Sequence, residues 1–531
     1  MKKMNIKFSI LIITGFLIVA QSCTDLEETV YDRLISEELV FTEKDIPNLI
    51  APPYVKFREF WYGWNAMLYA NEESSDCMAI PGRPNGWGDL YVPLHLHQWT
   101  EVHGYVEGCW WYMYNLVTFS NQAISQLQTI EGVDVTGYVS EIRGLRALSY
   151  YYLLDYYRNI PIVTKAVGDL PDGYLPEQNT AAQVFEFIED ELLEIMPNLS
   201  ENKDANTNGR FTKWAAKMTL ARLYMMSDAY GLGERWEDAL TQVNDIILSG
   251  KFSLAANPLD PFSSDNDNNS EAILAIPLDE VYADFYAYPS RTLNGASKVT
   301  FDLKRDCWGG TGMLPQFINT YDPDDERLGA YLGGPQVDYL GNPIMVDGVQ
   351  MNYVNRMSTI EQCGFFEGWR CVKYEIRNGL TTYPGNDIQF YRYTETLMIK
   401  AECLLRTNHA DEAAQIVSEI RNRAFTNNPA KATVTGAQLQ GGSSYQYGNL
   451  EGDVMSNFQG GADIQYGRFL DELGWEFVFE GHRKQDLVRF GVYTRKAWFS
   501  KQPSDESRAY FPIPKSQLQA NKNLTQNEGY N

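Results

Sequence analysis

Apolar residues recur at helical spacing in successive pairs of segments, and this pattern confines the chain to helix packed on helix. Ile142, Leu145, Leu148, Tyr152, Leu153 and Tyr156 share one helical face, with Gly144 and Ala147 small enough to admit a neighbouring helix. Val184 to Ile195 reads as the next helix, stopped ahead of Pro197. Trp214, Met218, Ala221 and Met225 follow at helical intervals, answered by Trp236 to Leu248, which Gly250 ends. A later pair runs from Thr394 to Leu405 and from Asp411 to Ala424, with Asp411 as N-cap and Ile416, Ile420 and Ala424 on one side. Trp110 to Leu127 carries Tyr114, Val117, Asn121, Ile124 and Leu127 along another such face.

Helix pairs with small residues at their crossings and aromatics between them resemble degenerate tetratricopeptide repeats. The copies are not contiguous, so no regular solenoid follows. The expected fold is mainly α: a single large domain built on repeat helix pairs near 140–250 and 390–425, with few short strands. Loop-rich stretches at 71–108, 255–390 and 426–466 lie between the pairs, the last a long surface excursion holding Gly441-Gly442-Ser443-Ser444 and Gly460-Gly461. Long loops on a helical scaffold are where binding residues gather.

The N-terminus sets the compartment. Lys2, Lys3 and Lys7, an apolar run from Phe8 to Val19, and Ala20-Gln21-Ser22 ahead of Cys23 make a secretory signal peptide over residues 1–22. The run falls short of the roughly 20 apolar residues that cross a bilayer. A cysteine at the cleavage point resembles a bacterial lipoprotein signal, although Ala20 stands where that pattern prefers Leu. The resemblance implies that Cys23 is lipidated and becomes the new N-terminus, and that residues 23–50 form a leader ahead of the domain at 51–531. The acidic Asp25, Glu27 and Glu28 resemble a surface-export signal, and this resemblance implies an outer-membrane location facing the exterior. Ordinary secretion with a free Cys23 is the alternative.

A formal net charge of −25 repels phosphate backbones and argues against nucleic-acid binding. No segment after the signal peptide is long and apolar enough to span a membrane. Aromatic content of 13% serves either a large core or a surface that stacks on the C–H faces of sugars. Of the six cysteines after Cys23, Cys363 and Cys371 bracket a short segment and are the expected disulfide pair, whereas Cys403 sits in a helical apolar pattern as a buried thiol.

Several constellations invite chemistry. Gly88, His95, His97, Glu101 and Gly108 resemble the first metal-binding motif of cupins, but the first spacing is one residue too long and no second motif follows, so they read as polar loop or strand residues. Asp265 to Glu271 offers oxygen ligands of the calcium kind without the glycine and terminal acid of an EF-hand loop, and reads as a solvated loop before a strand at Ala272–Ile276. No cofactor is predicted, and a structural calcium there stays open. No phosphate loop, zinc-protease motif or nucleophile elbow occurs. The candidate ligand-binding residues are Asp76, Trp87, Trp308, Trp369 and Arg370. Trp87 lies between glycines, Trp308 precedes Gly309-Gly310, and Trp369 adjoins Arg370, so each indole has little local packing to bury it, with burial as a loop anchor the alternative for every one of these residues.

The segment Arg468 to Gly491, with Glu480-Gly481-His482-Arg483 and Asp486-Leu487-Val488-Arg489, resembles the late helix of the SusD/RagB family of nutrient-binding lipoproteins. Phe511 to Lys515, Asn521 and Gln526 to Tyr530 are similar to that family's closing segment. Glu141 to Tyr152, Asn159 to Pro161, Gly209 to Lys217, Ala401 to Leu405 and Ile420 to Ala424 match its repeat helices, in order and over nearly the whole chain. On a helix, Glu480 with Arg483 and Asp486 with Arg489 are i,i+3 pairs beside an apolar stripe of Leu470, Leu473 and Phe477. The cluster therefore reads as structural, not as acid–base machinery. The resemblance implies a SusD-like fold and a non-catalytic cell-surface lipoprotein that binds glycan or oligosaccharide through aromatic and hydrogen-bonding side chains on its loops. It also implies delivery to a SusC-like TonB-dependent outer-membrane transporter, over which the lipoprotein acts as a lid. A peptide-binding member of the same family and an exported glycoside hydrolase are the alternatives.

Overall fold

The computed structural model describes residues 40–530, and within them the paired periodicities become a mainly helical stack. Cys23, the signal peptide and most of the leader lie outside the described residues. The main helices are α1 (Ile46–Tyr62), α2 (Met67–Glu73), α3 (Gly104–Leu127), α4 (Thr136–Tyr157), α5 (Ala181–Ile195), α6 (Lys213–Met226) and α7 (Trp236–Leu248). After a long interruption come α8 (Tyr393–Arg406), α9 (Ala410–Asn422), α10 (Gly467–Phe477), α11 (Arg483–Arg489) and α12 (Lys515–Ala520). α3 packs on α1 and α4, α4 on α5, α6 on α7, α7 on α8, and α8 on α9. The repeat thus resumes in space across the interruption between α7 and α8. Ile46, Leu49 and Ile50 of α1 are buried, so the packed chain begins inside the stretch expected to be leader.

α4 departs from a one-sided amphipathic helix. Its last eight residues, Tyr150 to Tyr157, are buried on every face, and the tyrosines are tolerated there because their hydroxyls find hydrogen-bond partners. Tyr150 donates to the carbonyl of Val163 at 3.0 Å and Tyr156 to Asn71 Oδ1 at 2.5 Å. Gly144 admits the ring of Phe211, from the segment ahead of α6, instead of a neighbouring helix. In α9 the N-cap is His409, with Asp411 in the first turn, and the buried face is Ala413, Val417 and Ile420, not the line through Ile416.

The strands are short antiparallel pairs. The longest, β1 (Ala272–Ile276) and β2 (Ile388–Arg392), are buried throughout. The late signature is two helices, not one, because the backbone turns left-handed at Phe479 (φ 61°) and Gly481 (φ 75°). Asp486 and Arg489 form the expected pair at 2.7 Å, but Glu480 and Arg483 part company. Glu480 bonds Lys373 (2.5 Å) and Arg392 (2.6 Å), and Glu476 meets Arg392 (3.0 Å), Arg327 (3.2 Å) and Arg423. Burial pushes the Glu476 carboxyl up, but the surrounding guanidiniums outweigh it and hold the group below the usual carboxylate range. His482 stacks on Phe477 at 4.6 Å, and burial beside Arg222 pulls its pKa well down. This network ties α10, β2 and α9 together. All six cysteines in the described residues are buried and free, so Cys363 and Cys371 are not joined. Cys403 is the buried thiol expected.

Candidate functional site

Three tryptophans from three separate loops meet at one partly exposed surface: Trp64, Trp87 and Trp308. Trp64 stands in the turn between α1 and α2. A Cβ on Gly63 would lie 2.5 Å from the ring of Tyr112, so glycine there lets the turn settle against α3. Trp87 is held by its loop's buried Arg83, whose Nε donates to the Gly310 carbonyl at 2.9 Å and whose Nη2 donates to that of Glu367 at 3.1 Å. Trp308 is fixed by its own N–H, which donates to the Ser290 carbonyl at 2.6 Å.

The indoles of Trp64 and Trp87 stack with centroids 6.2 Å apart and planes 20° from parallel, and Trp308 lies 5.9 Å from Trp64 at 60°. Trp87 Nε1 donates to the Trp308 carbonyl at 2.9 Å, and Asn85 Nδ2 donates to the same oxygen at 2.7 Å. Gly310 lies against Trp87, where a Cβ would come within 2.9 Å of the indole. Below the platform the Arg291 guanidinium sits 3.8 Å from the centroid of Tyr69, 5.0 Å from Trp64 and 5.3 Å from Tyr91. Burial pulls its pKa down, but Glu73, bonded to it at 2.9 and 2.7 Å, and the neighbouring tyrosines hold it well above its ordinary value. Arg291 and Glu73 are both enclosed, so this ion pair positions the platform and leaves the indole faces to do the contacting.

Such a surface offers flat π faces at an angle, with the Asn85 amide at its rim, and suits a ligand with alternating C–H faces and hydroxyls. The structure brings together two of the five sequence candidates, Trp87 and Trp308. Asp76 is 0% exposed and spent on Arg483 (2.6 and 2.9 Å) and the Tyr447 hydroxyl (2.7 Å), which removes it from any ligand. Arg370 is likewise 0% exposed, its guanidinium donating to the carbonyls of Thr311 and Phe365 (2.7 Å) over the Tyr353 ring. Trp369 packs on Gly333 and joins the small cluster of Ile344, Met351 and Tyr353, away from the three indoles. Sequence reasoning missed Trp64, although Gly63 beside it carries the same signal that marked Trp87 and Trp308.

The other constellations are structural. His95 Nε2 meets the Phe499 carbonyl at 2.8 Å, His97 Nε2 meets that of Ser74 at 2.9 Å, and Glu101 pairs with Lys515. Burial lowers both histidine pKa values, that of His95 to about 4. The loop Asp265–Glu271 is less solvated than expected. Buried Asn266 donates to the carbonyls of Pro261 and Asp387, each at 2.8 Å, and Glu271 meets Arg392 and Arg423. The predicted excursion after Gly441 is pinned as well: Tyr445 and Tyr447 are buried and both bond Asp76. Among the described residues no group of three or more His, Cys, Asp or Glu is placed to hold a metal ion.

Two family models match the chain: one described as "SusD family" over residues 288–506 and one described as "Starch-binding associating with outer membrane" over residues 56–225. The starch-binding protein SusD of Bacteroides thetaiotaomicron is 25% identical over 78% of this chain and 76% of its own length. The SusD-like protein P38 of Formosa agariphila is 24% identical over 100% of this chain and 99% of its own. Among solved structures, surface glycan-binding protein A of Bacteroides thetaiotaomicron in complex with laminarihexaose superposes with a TM-score of 0.69 at 21% identity, covering 92% of this chain and 100% of that one. A SusD superfamily protein from Parabacteroides distasonis gives a TM-score of 0.70 at 19% identity, over 94% and 100% of the two chains.

Proposed function

The chain belongs to the SusD family, and from that premise we propose that it is a non-catalytic capture protein for a neutral glycan, which it holds on the platform of Trp64, Trp87 and Trp308. The observation that carries the reading is the meeting of these three half-buried indoles from three loops, with an amide at the rim and the Glu73 carboxylate beneath them bonded to Arg291. Glu73, the acid under the platform, is committed to Arg291 and Tyr105 and has no exposed oxygen to offer as acid or base. Its relatives support the ligand class: one is a starch-binding protein, and one structural neighbour was solved in complex with laminarihexaose.

The protein works, in this reading, at the outer membrane, anchored through a lipid on Cys23 and facing the exterior, and hands its ligand to a SusC-like TonB-dependent transporter. Support comes from the lipoprotein-like N-terminus and the family description of outer-membrane association. Incubating purified protein with a panel of soluble polysaccharides, and measuring bound glycan and released sugar together, tests it. Binding without product supports capture, product release establishes an enzyme, and binding of peptides alone rejects the glycan.

A further inference from the structure

Trp64 belongs to two surfaces. Besides the platform, it lines a cleft of about 750 Å³ between α3 and the C-terminal segment that carries α12. One wall is a stripe of α3, Gly104, Gly108, Trp111, Asn115 and Thr118, at the three- and four-residue spacing of one helical face. Pro514, Gln517 and Asn521 face it from the C-terminal segment. A Cβ on Gly108 would come within 2.9 Å of the Asn65 carbonyl, so glycine lets the Trp64–Asn65 turn lie directly on α3. Platform and cleft are thereby continuous at that turn.

The cleft has the makings of a binding surface in its own right. Trp111 is 55% exposed, an unusual position for so large an apolar ring. The half-buried side-chain amides of Asn65 and Asn115 line the cleft. An amide carries both a donor and an acceptor, so a polyhydroxylated ligand answers these two residues, which a purely apolar one does not. Among the described residues lining the cleft, exposed Glu107 is the only charged one, and no cation stands there to draw a sulfate or carboxylate.

We propose that a neutral glycan chain lying on the platform continues across Trp64 into this cleft, which acts as a second subsite that reads chain length. The inference rests on the glycan reading of the platform. Ligands that occupy both surfaces gain the stacking face of Trp111 and the amides of Asn65 and Asn115, while short ones stop at the platform.

The test is isothermal titration of the purified protein with malto- and laminari-oligosaccharides graded from trisaccharide to octasaccharide. Wild type gains affinity along whichever series it binds. Trp111→Ala and, separately, Asn115→Ala lower the ratio of octasaccharide to trisaccharide affinity by about three- to tenfold. Because the readout is a ratio within one variant, a loss of folded protein does not mimic it. An unchanged ratio in both variants overturns the subsite, and if Trp87→Ala still weakens both lengths the platform reading survives it. Wild type that binds neither series in any length overturns the platform reading for glucans and the subsite with it.

Discussion

Gly310→Ala is the most discriminating single change, because it disturbs the platform without altering any side chain on it. Gly310 does not adopt the left-handed backbone, so alanine adds no backbone strain, and its whole effect is the new methyl. That Cβ would stand 2.9 Å from Trp87 Cε2 and 3.0 Å from Cδ2 and Cζ2, where ordinary carbon contacts are about 3.5–4.0 Å. The indole must therefore withdraw by roughly 0.5–1 Å. A shift of that size stretches the 2.9 Å bond from Trp87 Nε1 to the Trp308 carbonyl beyond useful length, costing about 0.5–1.5 kcal/mol. It also tilts the ring out of register with Trp64, forfeiting stacking worth about 0.5–1.5 kcal/mol to a bound sugar. Glycan affinity should fall about fivefold and stability by roughly 1–2 kcal/mol. Calorimetric titration with the polysaccharide that wild type binds, and urea unfolding, read the two effects. Gly168→Ala, at a glycine with open space around it, serves as the control. Affinity within a factor of about 2 of wild type would refute the claim that Trp87 contacts the ligand.

Three further outcomes follow from the buried charges and the N-terminus. Asp76→Ala strands the Arg483 guanidinium in the interior and should cost about 3–5 kcal/mol in urea unfolding, whereas Trp308→Ala should cost about 1 kcal/mol and act on affinity instead. Burial pushes the Glu72 carboxyl from 4.5 up to about 7, with one oxygen bonded to the Gly481 N–H and the other unpartnered. A raised acid stabilises the fold in its protonated form. Its contribution is complete below pH 4.5 and lost as pH rises through about 7. Glu72→Gln should therefore gain up to roughly 3 kcal/mol over wild type at about pH 8 and gain little at about pH 4, which unfolding midpoints at the two pH values check. Cys23→Ala should release a folded, glycan-binding protein from the membrane fraction and abolish glycan uptake by the cell, and undiminished uptake contradicts the tether.

The helical scaffold was legible because its signal is local. Apolar residues every three or four positions locate α4 to α9 to within a few residues, and family segments match in order. The burial of α4 on all sides was not legible, since tyrosines such as Tyr150 and Tyr156 read as half-polar until partners at Val163 and Asn71 are known. The late signature split because two left-handed residues break a pattern that is otherwise continuous. At the site, glycine neighbours marked Trp87 and Trp308, and Gly310 proves to lie against the Trp87 ring itself. Asp76 and Arg370 misled because a loop's charged residues look available, while their partners, Arg483 and the Thr311 and Phe365 carbonyls, stand far off or carry no side-chain signal. Tyr445 and Tyr447 illustrate the same limit: a Gly- and Ser-rich context suggests a free loop, yet both rings reach back to Asp76 across the fold.

The central claim, that three indoles from three loops form the glycan-binding surface, is tested most directly by a crystal structure of the protein grown with an oligosaccharide it binds. Sugar rings should lie on the faces of Trp64, Trp87 and Trp308 at about 4 Å, with a hydroxyl within reach of the Asn85 amide. A bound sugar located elsewhere, with all three indoles bare, would contradict it.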